Sequence, residues 1–174
     1  MVESKEQLLF NTLSELHKTT PLSMISVSQL TRQAGVSRMY FYRHYQTYDD
    51  IIRSHILYLF NRFLRLVKKY HANDSQDTCT MFFKVIQTDA QSLGIFIVNG
   101  ELNLVQSTFE RCFTELLIQR VITPALPDSY ATAFTIGGLT RLLIVWIQEP
   151  NPDSPERMGQ VVANLVHTSN YEQV

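Results

Sequence analysis

Glycine and proline are scarce in this sequence, with six of each among 174 residues. Both residues interrupt helices, so their scarcity suits an all-helical chain. No stretch of the sequence has a convincing β-strand pattern, and no internal repeat is present. The hydrophobic fraction of 45% and the charged fraction of 18% are typical of a globular protein rather than a disordered one. The length is enough for one or two small domains with a buried core.

The motifs of the common enzyme classes are also missing. The five histidines stand at positions 17, 44, 55, 71 and 167 without a metal-ligand spacing such as HExxH, and no GxSxG, Walker or dinucleotide-binding glycine pattern occurs. Cys79 and Cys112 lack CxxC spacing and neighbouring histidines. We expect both to be buried thiols in a reducing cytoplasm, with a disulfide or a redox sensor as the alternative. The sequence therefore predicts no enzyme activity, no cofactor and no bound metal.

A long hydrophobic run is lacking too. The longest apolar run, residues 142–147, is far too short to cross a membrane. The first ten residues are charged and lead into an amphipathic pattern, unlike a signal peptide. These two features predict a cytoplasmic protein with no membrane partner.

Charge is distributed unevenly along the chain, although the net charge is only −1. Residues 1–71 carry ten Lys and Arg against five Asp and Glu, a net of +5, whereas residues 72–174 carry five against eleven, a net of −6. A basic first part and an acidic second part indicate one end that faces a nucleic acid and another that does not. Taken alone, a difference of this size also arises by chance on solvated faces.

Residues 26–50 have the pattern of a helix-turn-helix. Ser26 followed by Gln29 is a capping box, and apolar residues at helical spacing come next. Gly35 can adopt the left-handed conformation that ends a helix, and Ser37 can cap the helix after it. That next helix is short and rich in Arg and aromatic side chains. Such a helix is expected to enter the major groove of DNA.

Residues 25–52 resemble the DNA-binding domain of the tetracycline-repressor (TetR) family of bacterial transcription regulators. The elements that carry the resemblance occur together at fixed offsets: Ala-Gly-Val at 34–36, Ser37-Arg38, the aromatic run at 40–42, His44-Tyr45 and the acidic start of the next helix. Two positions depart from the family pattern. Tyr48 stands where the family usually has a phosphate-binding Lys, and residues 19–21 (Thr-Thr-Pro) stand where it tends to have Gly.

The resemblance implies an all-α fold of about nine helices. A three-helix helix-turn-helix DNA-binding domain would occupy residues 1–47, and a helical effector-binding and dimerisation domain would occupy residues 48–174. The family pattern also implies a homodimer on a near-palindromic double-stranded DNA operator, acting as a repressor that a small-molecule effector releases. A transcriptional activator of the same fold and a dimeric helical adaptor controlled by a protein partner are the alternatives.

Residues 137–165 resemble the last two helices of the same family. In that family, two antiparallel helices from each subunit form a four-helix dimer interface. An apolar helix expected at 129–148 and a last helix from about 155 to 167 would supply it here. The predicted interface residues are Gly137, Gly138, Leu139, Leu142, Leu143, Trp146, Val162 and Leu165.

Arg38 is the candidate for reading a base, since Arg pairs with guanine through two hydrogen bonds. A phosphate contact or a solvated position is the alternative. The family pattern implies phosphate contacts for Tyr42 and His44, and the free N–H groups that begin the second helix favour a phosphate there. Phe41 and Tyr45 are expected in the core of the small domain. The full predicted DNA-contact set is Ser26, Ser28, Gln29, Ser37, Arg38, Met39, Tyr40, Tyr42, Arg43, His44 and Tyr48.

The middle of the chain, about 70–128, matches the family only in its helical character, and this is where the family often holds its effector pocket. Helices are expected at about 78–92 and 102–121, with a polar loop at 71–77 and breaks at Gly94 and at 99–100. The aromatic residues of this region either fill a core or line a cavity between these helices. The predicted effector-binding residues are Phe60, Phe63, Phe83, Phe109, Phe113 and Trp146.

Overall fold

The computed structural model describes residues 4–70, 75–121 and 128–168, without the side chains of 166–168. Over these residues the chain forms nine α-helices and no β-strand, which confirms the predicted all-α class. The helices are α1 (Lys5–His17), α2 (Val27–Gln33), α3 (Arg38–His44), α4 (Tyr48–Tyr70), α5 (Ser75–Gln87), α6 (Ala90–Phe96), α7 (Leu102–Ile118), α8 (Ser129–Gln148) and α9 (Pro155–Thr168). A 3₁₀ turn (Leu22–Met24) precedes α2, and a widened turn (Ile97–Glu101), called the junction turn below, connects α6 to α7.

The helices that begin after Ser4 and Thr47 are both capped by side chains. Ser4 Oγ accepts a hydrogen bond from the backbone N–H of Gln7 at 3.2 Å. At the start of α4, Asp50 Oδ2 accepts from the backbone N–H of Thr47 at 2.8 Å, while Thr47 Oγ1 accepts from that of Asp50 at 3.3 Å. The bond from the Thr47 backbone is the largest cause that lowers the pKa of Asp50. This reciprocal cap sets the position at which the long helix α4 leaves the N-terminal helices.

Three predictions about the middle of the chain were wrong. The single helix predicted at about 78–92 is two helices, since α5 ends at Gln87 and α6 begins at Ala90. The predicted break at Gly94 does not exist, because Gly94 lies within α6. A Cβ added at Gly94 would lie 3.6 Å from Ile147, an ordinary contact distance, so α6 packs against α8 here without requiring glycine. The predicted polar loop at 71–77 is too long, since α5 begins at Ser75; residues 71–74 lie outside the described residues. The predicted break at 99–100 is confirmed by Gly100, whose φ is +126°.

α9 packs tightly along α5, and Gly159 stands at their closest approach. A Cβ at Gly159 would overlap Thr80 Oγ1 and come within 2.8 Å of the backbone oxygen of Gln76. The contact is therefore made against backbone, which has little room to yield. The flanking Met158, Val162 and Ala163 are all buried, so the apolar face of α9 is used within its own protomer.

We expect Gly159→Ala to destabilise the fold by about 1–3 kcal/mol, the usual cost of an overpacked contact, even though alanine favours helix. Chemical denaturation of the purified protein measures this difference. Gly94→Ala is the matched control, because the same methyl group there meets its nearest neighbour at an ordinary 3.6 Å. Equal stability of the two variants would contradict the close α5–α9 contact.

α8 is the most apolar helix and is poorly covered by the rest of its chain. By length and composition alone it could cross a membrane, and only 28% of its most apolar 18-residue window is buried. The longest uninterrupted apolar run in the sequence does not indicate this property, because polar and small residues interrupt the run. Tyr130 and Phe134 are 86% and 77% exposed. An apolar helix that its own protomer leaves exposed calls for a partner surface.

Candidate DNA-binding surface

α2 and α3 form a helix-turn-helix whose turn is closed by local hydrogen bonds. Ser26 Oγ accepts from the backbone N–H of Gln29 at 3.1 Å and caps α2. Gly35 has a φ of +64°, the left-handed conformation expected of it from the sequence. The backbone N–H of Val36 donates to the carbonyl of Thr31 at 2.9 Å, and the Val36 side chain is buried. These contacts fix the direction in which α3 leaves α2.

α3 has one buried face and one exposed face. Its first turn is capped by Ser37 Oγ, which accepts from the backbone N–H of Tyr40 at 3.1 Å. Phe41 is 1% exposed and Tyr45 5%, which confirms both as core residues. The exposed side chains of α3 are Arg38, Met39, Tyr42, Arg43 and His44. An outward row of Arg and aromatic side chains has the donors that reading DNA in the major groove requires.

Arg38 joins the two helices at the exposed surface. Its Nη1 donates to Ser28 Oγ at 3.3 Å, and both side chains are exposed. This bond uses one of the five N–H donors of the guanidinium group. Enough donors remain for a two-bond contact with guanine, so the bond to Ser28 can orient Arg38 without occupying it.

Tyr40 is turned toward α1. Its hydroxyl donates to Glu6 Oε1 at 2.6 Å, its ring lies 4.2 Å from that of His44, and Lys5 Nζ lies 5.1 Å from the ring centre. The bond from Tyr40 is the largest cause that lowers the pKa of Glu6, while burial and the bond to Glu6 raise the pKa of Tyr40. A contact between the Tyr40 hydroxyl hydrogen and DNA would require the Glu6 bond to be given up.

Tyr48 likewise makes a contact inside the N-terminal helices. Its half-buried hydroxyl donates to the backbone carbonyl of Ile25 at 2.7 Å, and its ring lies 6.0 Å from that of Phe41. Burial is the largest cause that raises the pKa of this hydroxyl. The bond ties the start of α4 to the segment before α2. The predicted phosphate contact of Tyr48 competes with this bond.

The remaining predicted residues lie at the helix starts. Ser26, Ser28 and Ser37 are exposed, and Gln29 is half-buried. The structure therefore brings the whole predicted set onto α2, α3 and the start of α4, but it anchors Tyr40 and Tyr48 inward. Contacts between any of these residues and DNA stay predictions.

The six predicted effector-binding rings lie buried together in the second part of the chain. All are at most 4% exposed. Phe82, absent from the predicted set, lies among them, with its ring centre 5.4 Å from both Phe60 and Phe63 and 5.5 Å from Phe113. Phe83 in turn lies 5.1 Å from Trp146. These rings pack against each other as a core, so a ligand among them would have to part them.

Two surface grooves reach the edge of this aromatic core. One, of about 370 Å³, lies between α4 and α7, touches Phe60 and includes Leu64, Cys112 and Leu116. The other, of about 470 Å³, lies beside α6 and the end of α8 and touches Trp146. Burial raises the pKa of the Cys112 thiol to about 12, so this thiol is protonated and unreactive at neutral pH. Effector binding by the six predicted residues stays a prediction.

The predicted dimer residues fall into two groups. Three of them, Leu143, Trp146 and Val162, are at most 3% exposed within the protomer. They are core residues of the protomer and not the surface residues that a dimer interface requires. Gly137 and Gly138 are exposed with nothing within 4 Å of an added Cβ, Leu165 is exposed, and Leu139 and Leu142 are half-buried. Sequence reasoning missed the two most exposed rings of α8, Tyr130 and Phe134, which continue the glycine face at helical spacing.

Over the described residues, no group of three or more His, Cys, Asp or Glu side chains is placed to hold a metal ion. No protein-family model matches the sequence, and no curated protein matches it. Solved structures, in contrast, include several with a similar fold.

The chain is similar to a protein from Listeria innocua, with a TM-score of 0.67 and 16% identity over 97% of this chain and 94% of that one. It is also similar to the dihydroxyacetone kinase operon activator DhaS, with a TM-score of 0.58 and 14% identity over 94% of each chain. The TetR-family repressor AlkX from a Dietzia species has a TM-score of 0.55 and 17% identity over 95% of this chain and 96% of that one. Over almost its whole length, this chain therefore has the all-α fold of a TetR-family regulator.

Proposed function

We propose that this protein is a DNA-binding transcriptional regulator of the TetR type, acting in the cytoplasm as a homodimer on a palindromic operator. The observation that carries the proposal is the exposed face of α3, where Arg38, Met39, Tyr42, Arg43 and His44 point away from the protein core. A capped helix-turn-helix supports this face from behind. No enzyme activity is proposed for the chain.

The charge distribution agrees with this surface. The net charge of +5 belongs to residues 1–71, and the net charge of −6 belongs to the rest. Of this net +5, residues 1–47 carry +2 and residues 48–71 carry +3. The helix-turn-helix end therefore attracts the phosphate backbone modestly, and repulsion of the acidic residues 72–174 adds to the preference for approach through α3.

A small-molecule effector is proposed to control binding from the second part of the chain, residues 48–174. The groove between α4 and α7 is the best entrance, because Phe60 connects it to the aromatic core and its other lining residues include apolar groups and the charged side chains of Arg111 and Glu115. An effector that parts the rings would act on α4, which runs from the helix-turn-helix into this core. It must favour the DNA-incompetent arrangement by about 1–3 kcal/mol or more to release the operator.

Repression is proposed as the regulatory outcome, and activation is the alternative. The same DNA-binding surface serves both, and DhaS, which shares the fold, is described as an operon activator. Where the operator lies relative to the promoter decides between them, and transcription of the adjacent genes in a deletion strain measures it. Raised transcription indicates a repressor, and lowered transcription indicates an activator.

We expect the protein to shift DNA from its own promoter region in an electrophoretic assay, and to do so less strongly as salt rises. For six to ten phosphate contacts per dimer, affinity falls by about 10³–10⁵ between 50 and 200 mM salt. A shuffled sequence of the same length is the control for specific binding. If neither DNA binds at low salt, the protein belongs to the rival class, a dimeric helical adaptor controlled by a protein partner.

A further inference from the structure

Helix α1 is held to the second part of the chain at both of its ends. Near its start, Gln7 Nε2 donates to Asp89 Oδ1 at 3.0 Å. At its last residue, His17 Nε2 lies 2.7 Å from Glu101 Oε2. The two attachment points are ten residues, or about 15 Å, apart along the helix. Two contacts so far apart prevent α1 from rotating on the surface beneath it.

The contact at the start of α1 is reinforced by a stacked ring. Phe10 lies on His55 of α4 at 3.6 Å with the rings nearly parallel. His55 Nε2 is 3.4 Å from Asp89 Oδ1, at ion-pair distance but outside hydrogen-bond geometry. Burial raises the pKa of Asp89, but its contacts with His55, Thr88 and Gln7 outweigh burial and leave the pKa lowered. Asp89 therefore remains ionised and able to accept the bond from α1.

The contact at the end of α1 is a buried bond that holds a proton. His17 is 4% exposed, and its Nδ1 lies 3.0 Å from the carbonyl oxygen of Thr20, which can only accept a hydrogen bond. Nδ1 must therefore carry a hydrogen. Nε2 faces the Glu101 carboxyl group, so either the ring is doubly protonated or Glu101 holds the hydrogen between them. In both cases a strong hydrogen bond joins His17 Nε2 to Glu101 Oε2, which agrees with the short distance of 2.7 Å between these atoms.

The junction turn supplies two of the partners of His17. Glu101 contacts its ring, and Asn99 Nδ2 donates to its backbone carbonyl at 2.8 Å. Between them lies Gly100, with φ +126° and ψ −10°, a conformation that other residues rarely adopt. The relative directions of Asn99 and Glu101 thus depend on one glycine. A rotation of Gly100 toward ordinary helical angles would withdraw at least one of them from His17.

We propose that the bond between His17 and Glu101 is a latch through which the second part of the chain sets the orientation of the DNA-binding helices, with the junction turn as its moving part. The turn is open to such a signal, because Val98 is 73% exposed and lines the 470 Å³ groove together with Asn99 and Lys18. Latched, α1 holds α2 and α3 in one orientation. When the bond is broken, α2 and α3 lose this fixed orientation. They must regain it to bind DNA, and the free energy of doing so lowers the affinity.

The latch itself is tested without DNA. In ¹⁵N spectra that select histidine rings, His17 should show Nδ1 protonated and Nε2 protonated or sharing a proton with Glu101. Glu101→Gln should remove the charge from this contact and leave only the neutral bond that an amide N–H can donate to Nε2. Amide exchange in the last turn of α1 and in residues 97–102 should then be about ten-fold faster, as expected when a hydrogen bond loses its charge assistance. Glu15→Gln is the matched control, because Glu15 lies on α1 but pairs only with the exposed Lys18. A His17 ring without a hydrogen on Nδ1, or unchanged exchange in Glu101→Gln, overturns the latch.

Gly100→Ala perturbs the junction turn and leaves both side chains of the bond between His17 and Glu101 unchanged. An added Cβ has nothing within 4 Å, so only the strain of positive φ acts on the turn. We expect faster exchange at residues 97–102, whereas Gly94→Ala, a helical glycine nearby, should leave it unchanged. This variant also keeps the proposal testable if Glu101→Gln fails to fold.

The regulatory role rests on the proposed DNA binding and is tested by operator titration. Glu101→Gln and Gly100→Ala should each weaken operator binding by about ten-fold, and Glu15→Gln should not. Faster exchange with unchanged operator affinity would show that the contact is structural only and overturn the regulatory role. If the wild-type protein binds no operator, the proposed function fails, while the spectra and the exchange rates still decide whether the latch exists.

Discussion

Replacing Arg38 by alanine is expected to weaken operator binding by about 1–3 kcal/mol, that is roughly 5- to 150-fold, and to relax the preference for one base in each half-site. The reason is the position of this side chain. It lies in the first turn of α3, is exposed, and is oriented by Ser28 Oγ at 3.3 Å. A guanidinium group held in this way can make two parallel hydrogen bonds to guanine. Titration against a set of operators with single base changes measures both effects.

Two other substitutions separate base reading from general DNA attraction. Tyr42→Phe removes one exposed hydroxyl and should weaken binding to all sequences evenly, as the loss of a phosphate contact does. Arg65→Ala removes the same charge as Arg38→Ala from an exposed position of α4, about 25 Å along that helix from its start. We expect Arg65→Ala to leave base preference unchanged. An Arg38→Ala variant with unaltered affinity and base preference would exclude the base-reading role.

Gly138→Glu is expected to convert a dimer of about twice the 20.1 kDa chain mass into a monomer. Gly138 is exposed in the protomer and has nothing within 4 Å of an added Cβ, so the protomer itself tolerates a side chain there. On the same helix, Tyr130, Phe134 and Val145 are exposed, and Leu165 is an exposed apolar residue of α9. In a two-fold dimer the same patch faces itself, so each substitution acts twice and brings two like charges together in an apolar contact. Sedimentation equilibrium measures the mass.

Loss of the dimer should also lower the affinity for the operator. A dimer binds its second half-site as an intramolecular step, which raises overall affinity by about 10²–10⁴ over one half-site. We therefore expect Gly138→Glu to weaken operator binding by roughly that factor while the far-ultraviolet spectrum stays helical. Asn103→Glu adds the same charge to an exposed position of α7 and is the control. A wild-type protein that is monomeric at micromolar concentration would contradict both the dimer and the palindromic operator.

Local signals predicted the N-terminal helices well, because the interactions that define them lie within a few residues of one another. The caps at Ser4, Ser26 and Ser37 each join a side chain to a backbone N–H three residues later. Gly35 ends α2 through its own backbone angle. Tyr40 and Tyr48 are different, since their hydroxyl partners come from α1 and from the segment before α2. No spacing in the sequence indicates those partners.

Packing between distant segments explains the predictions that failed. Gly94 was expected to break a helix because glycine disfavours one by about 1 kcal/mol, but packing of α6 against α8 offsets that cost. Leu143, Trp146 and Val162 were assigned to the dimer interface because they are apolar, and hydropathy does not tell which apolar face of a helix the chain itself covers. In the folded chain, α7 and α6 pack against α8, and the face that carries Gly137 and Gly138 stays open.

Short-range periodicity, capping and turn chemistry were enough to predict the helical class, the helix-turn-helix and the side chains available to contact DNA. Which of those side chains face solvent, and which aromatic residues fill the core, became clear only from the packed helices. The tertiary structure also revealed the bond between His17 and Glu101, which are 84 residues apart. The physical reason is that burial and long-range hydrogen bonds depend on how whole helices pack, and that packing is a property of all of them together.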